Sequence, residues 1–201
     1  MGRKPSQKER KFDQRKTNVW LEQLLPKLQS VDLQALTMDD IAKLMGKSKS
    51  TVYEYFPSKE ILLMESVKLK LDTLQNLRGH LDLTAQDIKL LYVNYITMIS
   101  SVVADISISF LDAIEKGFPN IWAEILGFLQ GIIDDLTQLY SIGIKRGDFN
   151  KVSVAWLIAV DRFFVTKLIN DSTLGSDQTL TLEQLIKEYI DIRLYGLVAN
   201  S

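Results

Sequence analysis

Apolar residues recur at intervals of three and four along almost the whole of this chain, and no stretch alternates apolar with polar residues between turn signals. A period near 3.6 is that of one helix face, so the pattern restricts the chain to an all-α fold. Helices are expected over about 13–30, 38–45, 49–55, 58–79, 85–115 with a break near Asp105, 119–146, 150–171 and 181–199, about nine in total. They stop where glycine and proline punctuate the chain: Gly46, Phe56-Pro57, Gly79-His80, Gly117-Phe118-Pro119, Gly147-Asp148, and the polar run 170–181 with Gly175. Gly143 and Gly147 read together as a helix end. Pro26 is different, because it lies inside a segment whose Trp20, Leu24 and Leu28 share a face, and a kink is expected there.

With 201 residues, 46% of them hydrophobic, the chain can form a short head and a longer body. The net charge of −1 conceals a division between them. Residues 1–60 carry 12 Lys/Arg against 8 Asp/Glu, whereas residues 61–201 carry 12 against 17. Most of the positive excess lies in residues 1–16, where Arg3, Lys4, Lys8, Arg10, Lys11, Arg15 and Lys16 face only Glu9 and Asp13. Such an arm can track phosphates or enter a minor groove, and it reads equally as a solvated tail. The expected division is therefore a basic arm over 1–16, a head over 17–60, and a body over 61–201.

Several function classes are disfavoured. The absence of cysteine removes disulfides, thiolate zinc sites and cysteine nucleophiles, and suits a reducing cytoplasm. Residues 1–16 lack the apolar core of a signal peptide. The uncharged run 90–104 contains Asn94, Thr97, Ser100 and Ser101 and is too short to span a bilayer, so it is expected to be a buried helix. His80 is the only histidine and sits in an expected loop. Asp39-Asp40 and Asp134-Asp135 are adjacent pairs, which point in different directions around a helix and read as surface charge. No enzyme, metal, cofactor or membrane role is expected.

The informative stretch is 36–60. Thr37 can cap a helix whose third residue is Asp40, and Met38, Ile41, Ala42 and Met45 form its apolar stripe. Gly46 can end that helix, and Ser48 can cap a second one after a short turn. In the second helix Val52 and Phe56 face inward, while Ser48, Lys49, Ser50, Thr51, Tyr53 and Tyr55 are small, hydroxylated or basic, as a helix seated in a major groove requires. Tyr55 reads equally as a phosphate contact or as a residue packed against the next helix. Ser58 caps that longer helix, whose N-terminal amides with Lys59 offer a further phosphate site.

Thr37, Ile41-Ala42, Gly46, Ser48, Thr51-Val52-Tyr53, Phe56 and Ser58-Lys59-Glu60 stand in one continuous register, and this pattern resembles the helix-turn-helix of the TetR (tetracycline-repressor) family of bacterial regulators. The resemblance covers residues 17–77. Beyond them only length, helical content and the Gly147-Asp148-Phe149 break match. The chain departs from the family at Lys47, where a small apolar residue is usual; at Asp32, where a glycine is usual and whose residue type tolerates the same backbone conformation; and at Pro26. The resemblance implies a three-helix head, a larger C-terminal bundle, and DNA contacts from Arg3, Lys4, Thr37, Lys47, Ser48, Lys49, Ser50, Thr51, Tyr53, Tyr55 and Lys59. It further implies a repressor of a palindromic operator, cytoplasmic or on the nucleoid, released by a small-molecule effector.

In the body, residues 152–169 are apolar in nearly every direction, and 182–198 present Leu185, Ile186, Tyr189, Ile190, Ile192, Leu194, Tyr195, Leu197 and Val198 on more than one face. Two such helices need cover on two sides, so a homodimer is expected, with Trp156, Val160, Phe163, Phe164, Ile186, Tyr189, Ile190 and Arg193 at a four-helix interface. The resemblance places an effector pocket in the middle helices. Tyr92, Tyr95, Met98, Trp122, Phe128 and Tyr140 are its expected lining, suited to a small apolar or aromatic molecule. Other readings are a constitutive repressor with a filled core, an adaptor binding another protein, and a helical enzyme.

Overall fold

A computed structural model describes residues 14–170 and 182–197, which form nine helices and no strand among the described residues. They are α1 (Gln14–Leu28), α2 (Met38–Met45), α3 (Lys49–Tyr55), α4 (Lys59–Arg78), α5 (Ile88–Val103), α6 (Ile108–Gly117), α7 (Pro119–Arg146), α8 (Val154–Asn170) and α9 (Leu182–Leu197). Arg3, Lys4 and most of the basic arm lie outside the described residues.

The helices begin and end where local chemistry dictates. Asp87 and Ser107 cap α5 and α6 by accepting from the amides of Leu90 (2.8 Å) and Phe110 (3.1 Å). The break between them falls at residues 104–107, beside Asp105. Pro119 opens α7, and Gly147 closes it with φ 85°. Gly143 belongs to the same helix end, since its carbonyl accepts from the amides of Asp148 (2.9 Å) and Phe149 (3.1 Å), and the Phe149 ring lies where its side chain would be. Pro26 does not break α1. It sits in the last turn, and the helix ends two residues later.

Two apolar cores result. The first joins α1–α4 to α6 and the start of α7, and it includes Leu28, Ile41, Val52, Phe56 and Leu63 together with Ile114, Phe118 and Ile121. Head and body thus share one core, and α4 runs through it. The second lies farther along the body and gathers Ile88, Tyr92, Tyr95, Leu136, Leu139, Tyr140, Phe149 and Leu157. Helix α5 packs against α4, α7 and α9. Only one face of α5 is buried, since Leu90 and Asn94 are exposed; neighbours on one side explain why the expected fully buried helix is not found.

Candidate nucleic-acid interface and ligand cavity

The head is built around α1, whose Thr17, Trp20, Leu21, Leu24, Leu25 and Leu28 bury one stripe. Helix α2 starts in a reciprocal capping box, with the Asp40 amide donating to Thr37 Oγ1 (3.2 Å) and the Thr37 amide donating to Asp40 Oδ2 (3.3 Å); the Thr37 hydroxyl also donates to Oδ2 (2.5 Å). Hydrogen bonds from the Thr37 hydroxyl first, then the Lys43 ammonium and the Thr37 amide, hold the Asp40 carboxyl below its ordinary pKa. Gly46 ends α2 at φ 63°, and the Lys47 amide donates back to the Ala42 carbonyl (2.9 Å), which turns the chain sharply into α3. Ser48 caps α3 through the Thr51 amide (3.2 Å), and its Oγ also meets Thr51 Oγ1 at 2.7 Å. Val52 and Phe56 anchor α3 in the core, as their spacing predicts.

Anchoring at those two positions leaves Lys47, Ser48, Lys49, Ser50 and Tyr53 exposed and Thr51 half-exposed on one side. The side chains are held by neighbours. Lys49 Nζ pairs with Asp39 at 2.7 Å, which raises the lysine pKa, and lies 5.8 Å from the Tyr53 ring. Lys47 Nζ stands 5.0 Å over Trp20. Tyr55 meets Trp20 edge-on at 5.1 Å, so packing governs its position. The Lys59 ammonium donates to the carbonyls of Leu33 and Gln34, both at 2.9 Å, and ties the chain before α2 to α4. Its expected phosphate role competes with that tie. Asp32 does not adopt the left-handed conformation, since no described non-glycine residue has positive φ. Its carboxylate instead accepts from the amides of Gln34 (2.9 Å) and Ala35 (3.2 Å).

Behind the head, α4–α9 line a partly open cavity of about 420 Å³ with mostly apolar walls. Leu25 of α1, Val67 and Phe110 bound it near the head; Tyr92, Tyr140, Asp161 and Tyr189 bound it at the far end. Of the residues expected there, Tyr92, Phe128 and Tyr140 line it. Tyr95, Met98 and Trp122 do not. On α5 the cavity face is Tyr92, Ile96, Ile99 and Val103, a helical repeat that excludes positions 95 and 98. Met98 packs against the second core and Trp122 against the first.

Two charged clusters brace the body. The Tyr95 hydroxyl (2.5 Å) and Arg78 Nε (2.6 Å) both donate to Asp135 Oδ2, and the Arg78 guanidinium stacks 5.5 Å from Phe128. Asp135 is therefore an interior anchor and not the surface charge its sequence setting suggests, because α7 turns it toward α4 and α5. Asp161, only 4% exposed, accepts from Tyr140 (2.8 Å), Tyr189 (2.5 Å) and Arg193 (3.0 Å). Burial raises the pKa values of Tyr92, Tyr95, Tyr140 and Tyr189 and keeps their protons in place. For Arg193 burial opposes the charge, but Asp161 and the tyrosines outweigh it. The signal missed in sequence was an acidic residue, Asp161, in the middle of an otherwise apolar helix.

Asp161 also bears on the residues expected at a subunit interface. Because it draws α9 inward, Phe164, Ile186, Tyr189 and Ile190 line the cavity, with Phe164 and Tyr189 stacked at 3.8 Å, and Arg193 turns in toward Asp161. Trp156 (65% exposed) and Phe163 (72%) do face outward, Val160 lies half-buried, and Ile192 (71%) and Tyr195 (90%) join them on the outer surface. Among the described residues no group of His, Asp and Glu is placed to hold a metal, and no single helix is long and apolar enough to cross a membrane.

A short helix-turn-helix fixed to a larger helical body is the architecture of a class of DNA-binding regulators. Residues 28–65 match the family model described as "Bacterial regulatory proteins, tetR family". The fold is that of TetR-family transcriptional regulators: the TetR family regulator PfmR from Thermus thermophilus superposes with a TM-score of 0.68 at 21% identity, over 88% of this chain and 97% of its own. The ketosteroid regulator KstR2 of Mycobacterium tuberculosis gives 0.65 at 17% identity, over 92% and 96%. A regulator from Saccharomonospora viridis, solved in complex with choline, gives 0.64 at 15% identity, over 92% and 99%. Among curated proteins no sequence match was found. The match to the family model is confined to residues 28–65, and over the greater part of the chain the likeness is one of fold.

Proposed function

We propose that this chain is a homodimeric repressor that binds a roughly palindromic operator through two copies of α3, about 34 Å apart, and leaves it when a small molecule fills the body cavity. The observation that carries this reading is a shared wall: Leu25 of α1 belongs to the head core and also lines the cavity. A molecule in the cavity therefore touches the helix on which α2 and α3 are mounted. The Gln29 side chain adds a second link, accepting from the Ser107 amide (2.8 Å) and hydroxyl (3.0 Å) at the start of α6. Effector binding favours whichever head spacing it binds better, and the shift is limited by that difference in affinity.

The exposed row of Trp156, Phe163, Ile192 and Tyr195 supports self-association through α8 and α9. The neighbour solved with choline supports a small-molecule site in the body. The division into an arm (1–16), head (17–60) and body (61–201) belongs to the same proposal, with α4 spanning the last boundary. DNA contacts are assigned to Thr37, Lys47, Ser48, Lys49, Ser50, Thr51 and Tyr53, with Arg3 and Lys4 of the arm in the adjacent minor groove.

The test is selection of bound duplexes from a random pool at stated salt, with wild type beside a Thr51→Ala, Tyr53→Ala variant. Enrichment of a palindrome by the wild type alone is the expected outcome. No enrichment from a folded dimer would overturn the reading and favour an adaptor that uses the outer aromatic row on another protein.

A further inference from the structure

Resting on the reading of the cavity as an effector site, we propose that its effector is an apolar monocarboxylic acid whose carboxylate is held by Arg162 at a mouth between α7 and α8. The mouth is located by the wall residues that reach solvent. Of the residues lining the cavity only four are exposed: Leu126 and Gln130 on α7, Arg162 and Thr166 on α8. The two residues of each pair are four positions apart, so each pair forms a row along one face of its helix. Helices α7 and α8 pack together, and Arg162 spans the gap by donating to the Gln130 amide oxygen at 2.7 Å. A ligand at this place meets side chains that solvent already reaches.

The charge at the mouth selects the polar group. Lys70, Asp161 and Arg162 are the charged side chains of the cavity wall. Lys70 donates to both oxygens of Asp105 at 2.8 Å, and Asp161 is paired in the interior with Arg193 at 3.0 Å, so each carries its own counter-charge. Arg162 does not: among the described residues its one bond goes to a neutral amide. That amide in turn donates to Asp134 Oδ1 at 2.8 Å, which keeps the carboxylate one side chain away from the guanidinium. The wall thus has an uncompensated positive charge on its open side.

A guanidinium presents a planar fork of N–H donors, and a carboxylate is the group that accepts two of them in parallel. Exchanging the Gln130 oxygen for a carboxylate replaces a neutral acceptor by a charged one, which makes the bond roughly twice as strong. The Thr166 hydroxyl, one turn along the same face, is a further donor there. Inward of the mouth the wall is apolar, through Leu129 and Ile133 to Val67 and Leu25, and the volume of about 420 Å³ is that of a small-molecule site. It receives the hydrocarbon part of the acid. An ammonium would face Arg162 with nothing to neutralise it, and an alcohol would gain only a neutral acceptor's bond.

Calorimetric titration of the full-length chain near neutral pH with decanoate, decan-1-ol and decyltrimethylammonium, each below its micelle-forming concentration, tests this. Decanoate should bind about tenfold more tightly than decan-1-ol, and the cation most weakly. A purely apolar cavity gives the opposite order of acid and alcohol, because a carboxylate is harder to take from water than a hydroxyl. Arg162→Met keeps the apolar stem and removes the charge; Gln130→Glu keeps Arg162 and gives it a fixed carboxylate. Each should abolish the preference for decanoate and leave decan-1-ol affinity unchanged, and since both positions are exposed neither change opens a core. Binding of decan-1-ol or the cation to the wild type as tightly as decanoate, a preference that survives either substitution, or no binding by any of the three overturns the proposal. Adding the probes to the complex with the selected duplex separates this from the reading beneath it. Decanoate that binds through Arg162 and leaves the DNA bound refutes the effector reading alone, whereas release by the alcohol or the cation with decanoate inert keeps that reading and refutes the carboxylate.

Discussion

The head-side core is the larger and mostly aliphatic, whereas half of the buried residues of the far core are aromatic, and the two are held differently. Around α1–α4 and α6 the interior is apolar, and the buried hydroxyls of Thr17 and Ser66 return to carbonyls of their own helices. Around α5 and α7–α9 the interior is threaded by two aspartates, two arginines and four tyrosines joined side chain to side chain. Apolar packing is strong but non-directional, and it suffices to hold α3 rigidly in one place. Buried ionic networks add little stability compared with an apolar replacement, but they fix directions. The difference separates a region held by non-directional packing from one held by directed bonds.

Breaking each core should therefore have a different signature. Arg193→Leu leaves Asp161 charged and unpaired in the interior and should cost about 3–5 kcal/mol in denaturant unfolding. Adding Asp161→Asn to that variant should restore part of the loss, because the neutral amide still accepts from Tyr189. In the head-side core Leu63→Ala should cost about 2–5 kcal/mol, and no second polar change should restore it. Identical responses of the two cores to such pairs would refute the contrast.

Alkaline titration sharpens it. Tyr95 and Tyr140 have raised pKa values in the folded protein, whereas in the unfolded chain they ionise near 10. Their contribution is complete below about pH 10 and is lost as pH rises toward the folded values. Above pH 10 the unfolding free energy should fall by about 1.4 kcal/mol per pH unit for each of them. Tyr140→Phe should reduce the slope by one such share; an unchanged slope would place that proton elsewhere.

The smallest expected effect concerns the link between the regions. Gln29→Leu removes the acceptor for the Ser107 amide and hydroxyl, with a loss of about 1 kcal/mol, the scale of a helix cap. If α1 and α6 communicate there, operator affinity should become less responsive to an effector while melting changes little. An unaltered response would leave the Leu25 contact as the sole route.

The sequence by itself determined the parts ruled by local chemistry. The bounds of α2, α3 and α7 follow from Thr37, Ser48, Pro119 and the left-handed Gly46 and Gly147. The break beside Asp105 and the inward stripe of Val52 and Phe56 were legible for the same reason, since caps and helix periodicity act within a few residues. Which apolar residues of α5, α8 and α9 face a cavity, a core or the exterior was not legible. A helix that is apolar all round carries no mark of which neighbour covers which side, and on that account Tyr95, Met98 and Trp122 were expected to line a cavity that they do not line. Tertiary structure resolved it through long-range polar contacts. Asp161 reaches Tyr189 and Arg193 from 28 and 32 residues away, and that pairing sets the rotation of α9 and hence which residues remain on the outer surface.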